Sequence, residues 1–140
     1  MKNLLGTTEN LELFNKDGRL LYNFYKGLYG YSSETNYDSN GNILTYKNSD
    51  GFSSEYTYDS DGRELTYKNS TGYSYEYTHD LNGKVLTFKD STGYSYESTY
   101  DSNGNQLTYK DSDGNSFGFD VPEYTMEELV ERLGNFKIKK

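Results

Sequence analysis

One unit of 21 residues, written three times without a gap, constrains this chain more than any other feature. Residues 51–113 read GFSSEYTYDSDGRELTYKNST, GYSYEYTHDLNGKVLTFKDST and GYSYESTYDSNGNQLTYKDSD. Residues 30–50, GYSSETNYDSNGNILTYKNSD, are a fourth copy. Self-similarity at so short a period means that each unit is one supersecondary element, which buries its apolar surface against its neighbours. Residues 14–21 (FNKDGRLL) align with residues 58–65 (YDSDGREL), so a degenerate copy comes first, with two extra residues in 22–29 ahead of Gly30. A terminal unit that departs from the consensus is expected of a cap.

Two turn signals alternate along the array. One is the Asp-led run at 38–41, 59–62, 80–83 and 101–104; the other starts at Asn48, Asn69, Asp90 and Asp111. Each begins with Asp or Asn, which can bond forward to the turn backbone, and ends in Gly, which takes the left-handed position. That pattern fits a type I turn closed by a glycine bulge. The glycines fall alternately 10 and 11 residues apart, leaving a strand of ordinary length between turns. The spacing predicts an all-β antiparallel meander of repeated hairpins, about ten short twisted strands in a single sheet.

Side-chain alternation assigns two faces. Tyr73, Tyr75, Tyr77 and His79 point one way, and Ser74, Glu76 and Thr78 the other. Leu44/Tyr46, Leu65/Tyr67, Leu86/Phe88 and Leu107/Tyr109 join the aromatic face. Ile43, Glu64, Val85 and Gln106, which differ in every unit, are expected on the non-aromatic face. Residues 1–13 read as an N-terminal cap in which Leu4, Leu5, Leu11 and Leu13 form a strand or a turn of helix. Residues 14–121 are the array, with Asp120-Val121-Pro122 as its stop. Residues 122–140 hold a helix at about 125–133, with Thr125 as N-cap and Met126, Leu129, Val130 and Leu133 as an apolar stripe, then an extended tail from Phe136 to Lys140. The helix is expected to cap one end of the sheet or part of its aromatic face.

The segment from Gly51 through Tyr56, Tyr58-Asp59 and Gly62-Arg63, with its copies at Gly72, Gly93 and Gly30, resembles the YD repeat of RHS-type proteins. It departs from that pattern by one extra residue between the Gly pair and Leu, as in Gly83-Lys84-Val85-Leu86 and Gly104-Asn105-Gln106-Leu107. The resemblance covers about residues 14–119 and implies a coiled strip of β-hairpins. In long members of that family the strip winds into a shell around a toxin domain. About five units are too few for a closed shell, and neither the family's self-cleavage region nor a toxin domain is found here, so the encapsulating role is not expected. The array is also similar, more distantly, to the aromatic repeats of cell-wall-binding modules, which rely on Trp; this chain has none.

The chemistry on offer is that of binding. His79 is the only histidine and stands where sister units have Tyr37, Tyr58 and Tyr100, a Tyr substitute in the aromatic row. There is no cysteine. The Asp-rich turns do not place an EF-hand's ligands: aligning Gly62 puts Thr57 first and Lys68 last. No catalytic or metal-binding residues and no cofactor are expected, and the chain is not expected to be an enzyme. A formal charge of −8 disfavours nucleic acid and anionic membranes and suits a partner with a basic surface. The 17 tyrosines give contact area at low entropic cost. The candidate partner-binding residues are Tyr56, Tyr58, Tyr73, Tyr75, Tyr77, His79, Tyr94, Tyr96 and Tyr100, with Glu55, Glu64, Glu76 and Glu97. Alternatively the aromatic face is core, covered by the helix, the N-terminal segment or a second copy in a homodimer. The expected function is a non-catalytic protein-binding module, an inhibitor of phage or mobile-element origin that masks a basic, nucleic-acid-binding host protein. The alternative is a carbohydrate- or cell-surface-binding repeat. The N-terminus lacks a secretory apolar stretch, and no run nears the ~18 apolar residues of a membrane span, so the expected location is cytoplasmic.

Overall fold

The computed structural model describes residues 1–118 and 126–134. Eleven strands form one sheet in sequence order: β1 (Leu11–Phe14), β2 (Leu20–Lys26), β3 (Ser32–Tyr37), β4 (Ile43–Asn48), β5 (Ser53–Tyr58), β6 (Glu64–Asn69), β7 (Ser74–His79), β8 (Val85–Asp90), β9 (Ser95–Tyr100), β10 (Gln106–Asp111) and β11 (Ser116–Phe117). All neighbours are antiparallel, as the repeat predicts. β1 starts ahead of residue 14, so part of the expected cap belongs to the sheet. The two extra residues before Gly30 sit in a 3-10 turn, Leu28–Gly30, where Tyr29 is fully exposed at a left-handed φ of 57°.

The turns follow the expected chemistry. At the β5–β6 turn the Asp59 N–H donates to the Arg63 carbonyl at 2.9 Å and the Gly62 N–H to the Asp59 carbonyl at 3.0 Å. Asp59 Oδ1 accepts the N–H groups of Asp61 and Arg63, each at 2.9 Å. Gly62 has φ +80°, which an L-residue reaches only at a cost. The same backbone pattern recurs at Asn15, Asp38, Asp80 and Asp101 along one rim and at Asn48, Asn69, Asp90 and Asp111 along the other.

The register corrects one expectation. Thr57 pairs with Thr66, but Tyr58 pairs with Glu64, so Glu64 and Leu65 together oppose the single residue Tyr58. This is a β-bulge, and the residue beyond it keeps the face that strict alternation would take from it. Glu64 therefore stands among the rings and not on the opposite face. The same shift places Ile43 opposite Tyr37, Val85 opposite His79 and Gln106 opposite Tyr100.

Two sets of bonds stitch each hairpin to the next. Along one rim Ser91 Oγ accepts the Ser74 N–H at 3.0 Å while the Ser91 N–H donates to the Ser74 carbonyl at 2.8 Å. Ser32/Ser49, Ser53/Ser70 and Ser95/Ser112 repeat this clasp. Along the other rim Arg63 accounts for the Gly-Arg pair. Its Nε donates to Asp59 Oδ2 at 2.7 Å, Nη2 pairs with Asp61, and Nη1 reaches the Asp80 carbonyl of the next turn at 3.1 Å. Arg19 Nη1 likewise reaches the Ser39 carbonyl at 2.9 Å.

The face opposite the rings carries the charge. Cross-strand pairs join Glu55 to Lys68 at 2.9 Å, Glu76 to Lys89 at 3.6 Å and Glu97 to Lys110 at 4.0 Å. Hydroxyl pairs Thr57/Thr66, Thr78/Thr87 and Thr99/Thr108 lie 2.6–2.7 Å apart. At its N-terminal end this charged face, not the ring face, holds the buried core. Tyr22 and Phe24 are 2% and 1% exposed. They pair with Asn36 and Glu34, the residues in register with Thr45 and Lys47. The Leu4 N–H donates to Tyr22 Oη at 3.2 Å, so the N-terminal segment reaches over this face. Glu34, the first of the repeated glutamates, is buried there with Lys47 as ion-pair partner. The expectation that this segment covers the aromatic face is thereby overturned.

α1 (Met126–Leu133) forms where the stripe predicts it, with Glu127 and Glu128 in its first turn. Its capping role finds no support: Val130 is 51% exposed. The remaining stripe side chains, the Thr125 cap, the stop at 120–122 and the tail at 136–140 lie outside the described residues. Among the described residues no helix is long and apolar enough to cross a membrane.

Candidate binding face

The candidate site is built from strands that carry rings at alternate positions. β5 offers Tyr56 and Tyr58, β6 Tyr67, β7 Tyr75, Tyr77 and His79, β8 Phe88, β9 Tyr96 and Tyr100, and β10 Tyr109. Tyr73 and Tyr94 precede their strands and join the same row. The pairings Tyr56–Tyr67–Tyr75 and Tyr77–Phe88–Tyr96 run straight across the sheet. Centroid separations of 4.9 Å (Tyr56–Tyr67), 5.0 Å (Tyr67–Tyr75), 5.0 Å (Tyr77–Phe88) and 5.5 Å (Phe88–Tyr96) put these rings in attractive contact. Contacts continue without a break from Tyr56 to Phe117. Each Tyr and Phe from 56 to 109 in this row is half-buried and none is fully buried. The rings shield one another, and every substantial packing contact among the described elements is between neighbouring strands.

The polar groups on this face are few. Tyr75 Oη donates to Glu64 Oε1 at 2.5 Å. Burial, then the Glu64 carboxylate, pushes the Tyr75 phenol well above its ordinary range, and the same two causes raise Tyr58 and Tyr77. Burial, then the Asp90 charge, raises Tyr73. Tyr109 is raised first by its hydroxyl contact with Tyr94, at 3.1 Å, then by burial and Asp111. Tyr58 Oη donates to the Ile43 carbonyl at 2.8 Å. Lys84 Nζ stands 5.8 Å from the Tyr100 ring centre. His79 lies 6.0 Å from Tyr77, centre to centre, with Nδ1 buried and without a hydrogen-bond partner among the described residues.

The structure thus brings together the nine candidate aromatic and histidine residues and Glu64. It places Glu55, Glu76 and Glu97 on the opposite face, each matched by a lysine. Tyr67, Phe88 and Tyr109 complete the rows and were missed as site residues, although the Leu-x-aromatic pattern of every unit signals them. No group of acidic and histidine side chains gathers as a metal site among the described residues. A groove of about 580 Å³ lies over the charged pairs, lined by Thr66, Lys68, Glu76 and Lys89 among others.

Comparison with known proteins agrees with this geometry. The RHS repeat model matches residues 37–74. No curated protein matches the chain. Solved structures do. One is a TcdB2–TccC3–Cdc42 structure, at 15% identity and TM-score 0.50, covering 76% of this chain and 6% of the other. Another is a Photorhabdus luminescens Tc holotoxin pore bearing a TccC3 mutation, at 18% identity and TM-score 0.50, covering 74% of this chain and 5% of the other. The chain therefore spans a small fraction of those proteins, and at such identity the likeness is one of fold. Residues 37–74 match the RHS repeat, the flanking hairpins repeat the same turns and register, and the chain is an array of β-hairpins similar in fold to those structures.

Proposed function

We propose that the protein is a non-catalytic binding module that offers its ring face to a basic protein. The observation that carries this reading is the continuous aromatic row from Tyr56 to Tyr109, half-buried by its own neighbours and with no other element packed over it among the described residues, while the fully buried Phe24 lies on the other face. Aromatic surface of this extent marks an interaction site in a soluble sheet. The carboxylates of Glu64, Asp90 and Asp111 on or beside the rings, and the charge of −8, favour a cationic partner over an anionic one. Such a binder suits an inhibitor from a phage or mobile element that masks a nucleic-acid-binding host protein, a role for which charge is the support.

A photo-crosslinking residue at Tyr96 tests the face, with one at Thr87 as its counterpart on the charged side. The expected result is salt-sensitive crosslinks to basic proteins from position 96 alone. Crosslinks confined to position 87 would move the binding surface to the charged face. A carbohydrate reading draws on the near-parallel pairs Tyr67–Tyr75 (21°) and Phe88–Tyr96 (20°), whose exposed edges could stack on sugar rings. Ring-dependent binding on a glycan array, without protein crosslinks, would favour it.

A further inference from the structure

Of the repeat's variable positions, one breaks the chemistry of its face. Residues 43, 64, 85 and 106 are Ile, Glu, Val and Gln, and the bulge turns all four toward the rings. Of these four, only Glu64 is charged. Each glutamate of the repeated charged row, Glu34, Glu55, Glu76 and Glu97, is matched by a lysine of the same sheet. Glu64 makes no ion pair among the described residues; its one hydrogen bond there comes from Tyr75 Oη. The adjacent Arg63 is committed to Asp59, Asp61 and the Asp80 carbonyl. A half-buried carboxylate is costly without a counter-charge, and this one keeps a second oxygen for a donor. Tyr58, Tyr75 and Tyr77 feel its charge most, and their ring faces carry negative potential as well.

We propose that Glu64, flanked by Tyr58, Tyr75 and Tyr77, is the seat for one arginine side chain of the basic partner. This rests on the reading above and deepens it. A guanidinium is planar, stacks on tyrosine rings and donates to a carboxylate oxygen in one pose; an ammonium group satisfies the charge but not the stacking. Asp90 and Asp111, which also stand beside the rings, accept N–H groups of their own turns, whereas the seat gives Glu64 a partner that its own turn does not.

The test is titration of the intact chain with a hexa-arginine peptide at low ionic strength, followed by calorimetry and by the ring resonances of labelled tyrosine. Glu64→Gln keeps an acceptor for Tyr75 and leaves the far-UV spectrum unchanged. It is expected to weaken the peptide about tenfold, the scale of one charge-assisted contact. Glu76→Gln removes the same charge from the other face and is expected to change affinity less than about twofold. In the wild type, Tyr75 and Tyr77 resonances shift on binding, and a hexa-lysine peptide binds more weakly. Equal losses in the two variants, or lysine binding as tightly as arginine, would overturn the seat. If Glu76→Gln weakens the peptide more, the seat fails while a basic partner survives. A wild type that binds neither peptide overturns the seat; the absence of crosslinks from position 96 would then sink the broader reading too.

Discussion

Single residues along the rims do more than shape turns. Arg63 bridges its own turn to the next, so Arg63→Ala is expected to lower the thermal midpoint more than Lys84→Ala, measured by circular dichroism. Gly83 sits at φ +85°, and a Cβ there would come within 3.0 Å of Arg63 Nη1. Gly83→Ala is expected to cost about 1–2 kcal/mol in denaturant unfolding, from the left-handed backbone and the displaced guanidinium together. Titration acts at the same scale. Asp38 and Asp101 are held below the usual carboxylate range first by the side-chain amides of Asn42 and Asn105, and Asp59 first by the Arg63 N–H. A depressed folded pKa stabilises above the unfolded value and is lost as pH falls through the folded one, so acid unfolding is expected to develop below about pH 4. The phenols run the other way. Burial, then Glu34, pushes Tyr22 up to about 12, and Tyr75 is raised with it. Their contribution is whole below pH ~10 and is lost as pH climbs past it, which a pH series of unfolding midpoints would show.

At the scale of the element, the hairpin is held by its turns, its rings and its serine clasp. Ser91→Ala removes the acceptor for the Ser74 N–H, and a loss of about 1 kcal/mol is expected, read from urea unfolding. Turns and faces were legible in the sequence because each depends on residues close together: Asp and Gly fix a three-residue loop, and period-two alternation sorts Tyr from Glu. The clasp was not, since Ser74 and Ser91 meet only once two hairpins are in register. The bulge left a trace, the extra residue between Gly62-Arg63 and Leu65, but its effect on facing depends on which cross-strand pair absorbs it. Glu64 was consequently assigned to the wrong face, and the one distinctive group of the candidate site was named without its surroundings.

The whole molecule behaves as a chain of neighbours. Strand order follows sequence order and substantial contacts join only adjacent strands, so stability is expected to be a sum of unit and interface contributions. Deleting residues 72–92 removes one full unit and lets Tyr96 take the place of Tyr75. The shortened sheet is expected to fold with a lower thermal midpoint, and hydrogen exchange to be slowest in its central strands. Loss of all cooperative unfolding would show instead that the array needs its full length. What covers the sheet was less legible than the sheet, because covering is decided by long-range packing: the N-terminal segment reaches Tyr22, where the charged rows begin, while no element packs over the rings among the described residues. The bulge has a consequence for how such a protein can change. Positions 43, 64, 85 and 106 form four addressable slots along one surface, outside the turns and outside the ring ladder. Their identities can drift, and partners can be gained or lost, while the scaffold that displays them stays as it is.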